Sequence, residues 1–105
     1  MLLLLPSVTG EVEIEANGEQ EIVFVDAGGV VVFSSKGLGN TTSVLWDFGR
    51  DINGPDTRYS NLTDVNHTVH ASGRYNVTFT AFYEEENVVK KLVLIVNYEE
   101  EYQET

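Results

Sequence analysis

Between residues 75 and 80 the chain alternates with a period of two. Tyr75, Val77 and Phe79 fall on one side, and Asn76, Thr78 and Thr80 on the other. A helix cannot gather these apolar residues on one side, whereas a strand does so at every second position. The run 43–48 repeats the pattern, with Val44, Trp46 and Phe48 opposed to Leu45 and Asp47. Elsewhere short β-branched and aromatic runs are separated by Gly, Asn, Asp and Pro, and no stretch carries a helical period. The pattern predicts strands near 11–16, 21–26, 30–35, 43–48, 64–70, 74–83 and 88–97. The fold expected is all-β, a seven-stranded antiparallel immunoglobulin-like sandwich. A chain of 105 residues is one domain, and the absence of cysteine means that its core must hold without disulfides.

The expected core is Phe33, Trp46, Phe48, Tyr75, Val77 and Phe79. The last strand differs from the others. Leu92, Leu94 and Val96 form one face, but Val93 and Ile95 make the other apolar too, and such a strand is expected to be covered on both sides.

Three separated stretches resemble the polycystic-kidney-disease (PKD) domain. Trp46-Asp47-Phe48-Gly49 matches the start of that family's W-D-F-G-D-G motif. His67 to Thr80 is similar to its H-x-Y-x-x-x-G-x-Y-x-V-x-L-T-V segment, and Val32-Phe33-Ser34-Ser35 sits at its V-x-F-x-A-S strand. The likeness covers roughly 20–97. Arg50-Asp51 departs from the motif, so the turn there must be rebuilt, and Val69 stands where the family usually has Tyr. The resemblance implies an extracellular, non-catalytic sandwich serving as a spacer, adhesion or protein–carbohydrate contact module.

Four N-x-S/T sequons begin at Asn40, Asn61, Asn66 and Asn76, where chance placement of the chain's Asn, Ser and Thr gives about one. They predict a glycoprotein, secreted or on a cell surface, with N-linked glycans. Asp47, Asp51 and Asp56, with Asn53, are weak candidates for a calcium site; the spacing fails the EF-hand pattern, and turn-forming is the simpler reading. His67 and His70 are three apart and fall on opposite faces of a strand, so they do not suit one ion. No serine has a nucleophile context, and no cofactor is expected. Tyr59, Phe82, Tyr98 and Tyr102 form no evident row for binding sugars.

The net charge of −11, from 17 acids and six bases, excludes nucleic acid and makes an anionic membrane surface a poor partner. Residues 1–10 read as an apolar segment, either a signal remnant or a donated strand; 11–98 form the sandwich and 99–105 an acidic tail. Leu2, Leu3, Leu4 and Leu5 are too few to cross a bilayer and gain by burial. The primary expectation is a structural or adhesion module. The alternative is a self-assembling subunit of an extracellular filament, in which Leu2–Leu5 pair with a neighbouring copy beside Val93 and Ile95. The partners expected are other copies or neighbouring extracellular domains.

Overall fold

The computed structural model describes residues 12–97. The segment Leu2–Leu5 and the acidic tail 99–105 lie outside the described residues. The elements are β1 (Glu13–Ala16), β2 (Ile22–Asp26), β3 (Gly29–Lys36), β4 (Ser43–Asp47), β5 (Tyr59–Ser60), β6 (Val65–Val69), β7 (Gly73–Phe82) and β8 (Asn87–Asn97). They form a three-stranded sheet, β1-β3-β6, and a five-stranded sheet, β2-β8-β7-β4-β5. The fold is an all-β, immunoglobulin-like sandwich.

Two details differ from the sequence expectation. The described strands number eight, because the two-residue β5 pairs Tyr59 with Asp47 and Ser60 with Trp46. A strand this short has no period to read. The sandwich is also not wholly antiparallel, since β2 runs parallel to β8 from Ile22↔Val93 to Asp26↔Asn97. Side-chain alternation is the same in both kinds of pairing, so sequence period cannot choose the direction. The chain leaves β2 through a tight turn and enters β3 in the opposite sheet.

The longest pairing is the β7–β8 hairpin, which runs from Gly73↔Val96 to Phe82↔Asn87. Its tip carries the acidic run Glu84–Glu86, closed by Tyr83 N–H donating to the Glu86 carbonyl at 2.8 Å. Charge at a loop tip keeps it solvated and uninviting to pairing.

The inner faces meet over an aromatic cluster. Trp46 is 0% exposed, and its ring lies 4.6 Å from Phe79, 5.5 Å from Phe33 and 5.9 Å from Phe48, the last stacked at 8°. Tyr75 and Val77 are also buried, and Leu92, Leu94 and Val96 extend the core along β8. Val69, the last residue of β6, is buried in the same core. Ile52, in the loop after β4, is buried as well, which no alternation could have indicated. Among the described residues no polar or charged residue is buried.

The second face of β8 is not covered by another layer of described residues. Val93 and Ile95 are half-buried on the outer face, shielded laterally by β2 and β7 rather than from above.

Replacing Trp46 by Ala removes the ring that touches three others and leaves a cavity, at a cost of about 3–5 kcal/mol. Urea unfolding of Trp46→Ala should show a large fall in midpoint; an unchanged midpoint means that the core is elsewhere.

Candidate functional site

The W-D-F-G stretch becomes a turn that ties the end of β4 to its neighbours. Trp46 and Phe48 point inward, so Asp47 must point outward. Its carboxylate accepts Gly49 N–H at 2.8 Å and Arg58 Nε–H at 2.8 Å, with Arg58 Nη2 at 3.3 Å from the other oxygen. Arg58 in turn lends its carbonyl to Phe48 N–H at 2.8 Å. Gly49 has φ 88°, and a Cβ there would lie 2.9 Å from the Asn76 carbonyl oxygen. The glycine of the motif is thus required twice, by backbone conformation and by the approach of β7.

Arg50, the departure from the motif, has its own place. Its guanidinium lies 4.1 Å over the Tyr75 ring and donates to the Ser72 carbonyl at 3.2 Å. It passes so close to Gly73 that a Cβ on that residue would fall 2.7 Å from Arg50 Nη2. Tyr75 reaches back from the start of β7, its hydroxyl donating to the Ala71 carbonyl at 2.8 Å. Arg50, Ser72 and Tyr75 together lock this end of the sandwich. Sequence reasoning placed Tyr75 in the core and missed the role of Arg50, because its partners Ser72 and Tyr75 lie more than twenty residues away.

These contacts decide what the acidic residues can do. Hydrogen bonds from Arg58, opposed by partial burial and helped by Gly49 N–H, hold the Asp47 carboxyl below its ordinary range. Its oxygens are engaged by protein donors, whereas Asp51 and Asp56 are exposed on the loop beyond. The described residues contain no group of three or more His, Asp or Glu placed to hold a metal ion. His67 is half-buried with its ring edge-on to Phe48 at 5.2 Å, and burial pushes its basicity down; His70 is exposed beyond the end of β6.

All four sequon asparagines are exposed, and they are spread over the molecule. Asn76 sits on the outer face of the five-stranded sheet and Asn66 on the outer face of the three-stranded sheet. Asn40 lies in the loop between β3 and β4, where Tyr83 donates its hydroxyl to the Leu38 carbonyl. Asn61 follows β5 beside a shallow groove lined by Leu45, Tyr59 and Leu62. In a strand, residues i and i+2 share a face, so Thr78 and Thr68 stand on the same surfaces as Asn76 and Asn66.

The outer faces also expose apolar side chains. On the small sheet Val30 and Val32 lie beside Thr68 and Asn66. On the large sheet Ile22 is 56% and Phe24 66% exposed, paired with Val93 and Ile95. Tyr59 is exposed under the Arg58 guanidinium, and Phe82 is half-buried. Tyr98 and Tyr102 lie outside the described residues. No described helix is long and apolar enough to cross a membrane.

A family model described as the PKD domain matches residues 13–96, from the first strand to the last. No curated protein matches the chain.

The Asp47–Arg58 pair makes stability depend on acid. A carboxyl whose folded pKa is depressed contributes fully above its unfolded value and loses that contribution as pH falls through the folded one. Asp47→Asn should therefore lower the urea midpoint slightly at neutral pH, since both side chains are partly solvated. As pH falls below about 4, the ordinary aspartate value, and on through the depressed folded one, the difference between parent and variant should shrink away. A difference that persists unchanged at low pH assigns the effect to something other than this ion pair.

Proposed function

The chain belongs to the PKD domain family, and on that premise we propose that it is a non-catalytic, N-glycosylated structural or adhesion module of an extracellular or cell-surface protein. The observation that carries this reading is the exposure of Asn40, Asn61, Asn66 and Asn76 on both outer sheet faces and two loops. Glycans at such positions shield a sandwich from all sides without touching its core. The net charge of −11 adds a solvated, self-repelling exterior. The non-catalytic part of the reading is supported by the apolar interior and by the use of Asp47, Arg50 and Arg58 in holding the turn together. The partners of such a module are neighbouring extracellular domains.

A second reading, a self-assembling filament subunit, is favoured by one observation. Val93 and Ile95 adjoin the exposed Ile22 and Phe24 at an edge of the large sheet. A segment such as Leu2–Leu5 from a neighbouring copy has the composition to pair there. Sedimentation of the chain with and without residues 1–6 separates the readings: a monomer in both forms removes the filament, and assembly lost on deletion supports it.

The glycoprotein reading is tested by intact mass spectrometry of protein from its natural source. At least two of the four asparagines should carry glycans, and a mass equal to the bare polypeptide would sink the claim.

A further inference from the structure

The apolar patch on the large sheet and the sequon at Asn76 are neighbours by register. Across the outer face, Ile22 pairs with Val93 and Val93 with Asn76, forming one row. The adjacent row runs Phe24, Ile95, Arg74. The two rows place four apolar side chains beside one asparagine, and Phe24 is 66% exposed. Solvated sheet faces of soluble domains do not ordinarily carry such a cluster without an occupant.

Asn76 is oriented toward that role. Arg74 Nε–H donates to Asn76 Oδ1 at 3.2 Å, which leaves Nδ2, the nitrogen through which a glycan is attached, as the free end. Among the described residues no hydrogen bond uses Nδ2. Neighbouring strands are about 4.8 Å apart, so β7 and β2 are separated by roughly 10 Å across β8. The innermost sugars of an N-linked glycan reach across that interval. Each pyranose ring has an apolar face of axial C–H groups, which packs against aliphatic side chains and against the π-face of an aromatic ring. Its hydroxyls meanwhile remain in water.

We propose that the glycan on Asn76 folds down over Val93 and Ile95 and seats its first sugars against Ile22 and Phe24. The glycan is then an outer layer of the sandwich, and it covers the face that the filament reading leaves for a neighbouring copy. This inference rests on the glycosylated reading of the chain and excludes docking of a copy at this patch.

The test uses the full chain secreted from a eukaryotic host. Intact mass and peptide mapping first establish whether Asn76 is occupied. Occupancy of the other sequons with Asn76 bare overturns this inference alone; a mass equal to the bare polypeptide removes the glycoprotein reading with it. With Asn76 occupied, thermal melting is compared for the parent, Asn76→Gln, Phe24→Ser and the double variant. Thr78→Ala serves as a second way to remove the same glycan. Loss of the glycan should lower Tm by roughly 4–8 °C, the scale of about one lost apolar contact in a domain of this size. In the Phe24→Ser background the same loss should have little effect, because the seat is already gone. Equal shifts in both backgrounds overturn the proposal. So does a glycosylated parent that self-associates and becomes monomeric on Phe24→Ser, which assigns the patch to a second copy.

Discussion

Without a disulfide, the two sheets are held face to face by what they bury between them, and the centre of that burial is one indole. Trp46 comes from the large sheet and meets Phe33 from the small one at 5.5 Å, so the contact is between layers and not within one. Phe48 and Phe79 complete the ring of aromatics around it. The cost is visible in one atom. Among the described residues, the Trp46 indole nitrogen is the one buried side-chain polar atom without a hydrogen-bond partner. The apolar area that the ring removes from water must exceed the penalty for leaving that N–H unpaired.

The remaining features of the turn follow from placing Trp46 and Phe48 inward. Asp47 between them has no choice but to face out, where it binds the Gly49 N–H and fixes Arg58. Gly49 then brings the chain against the β7 backbone. Where the family motif continues with Asp-Gly, this chain has Arg50-Asp51, and a loop runs on to Arg58 before β5 begins. Thr57 Oγ1 accepts Asn53 N–H at 2.8 Å and donates to the Gly54 carbonyl at 2.6 Å, closing it as a unit. The guanidinium of Arg50 is redirected onto Tyr75. Arg50 thus adds a contact between distant parts of the chain, while Asp47 and Gly49 keep the local turn.

The sandwich architecture was legible where one strand face is apolar and the other polar, as in Tyr75 to Thr80, because a period of two has only one physical cause there. Legibility failed where that contrast is absent. β2 reads Ile22-Val23-Phe24-Val25, and an all-apolar strand does not reveal which side faces the core. The structure turns Val23 inward and leaves Ile22 and Phe24 exposed, which creates the patch. The parallel pairing of β2 with β8 was likewise invisible, since register across strands is a property of the whole topology. Ile52 and Arg50 lie in a loop with no period, and only the closing of the chain brings them to the core and to Tyr75. For the candidate site, sequons could be found by their letters, but the neighbourhood of Asn76 and Val93 requires the register.

The central claim is that burial between the two sheets, around Trp46, holds the domain closed. Native-state hydrogen exchange of the Trp46 indole N–H tests it most directly, because no hydrogen bond in the described structure protects that proton. If burial alone shields it, exchange proceeds only through global opening, and its opening free energy equals the unfolding free energy measured with urea. Exchange many-fold faster than global unfolding would contradict the account, since water would then reach the indole while the sheets remain packed.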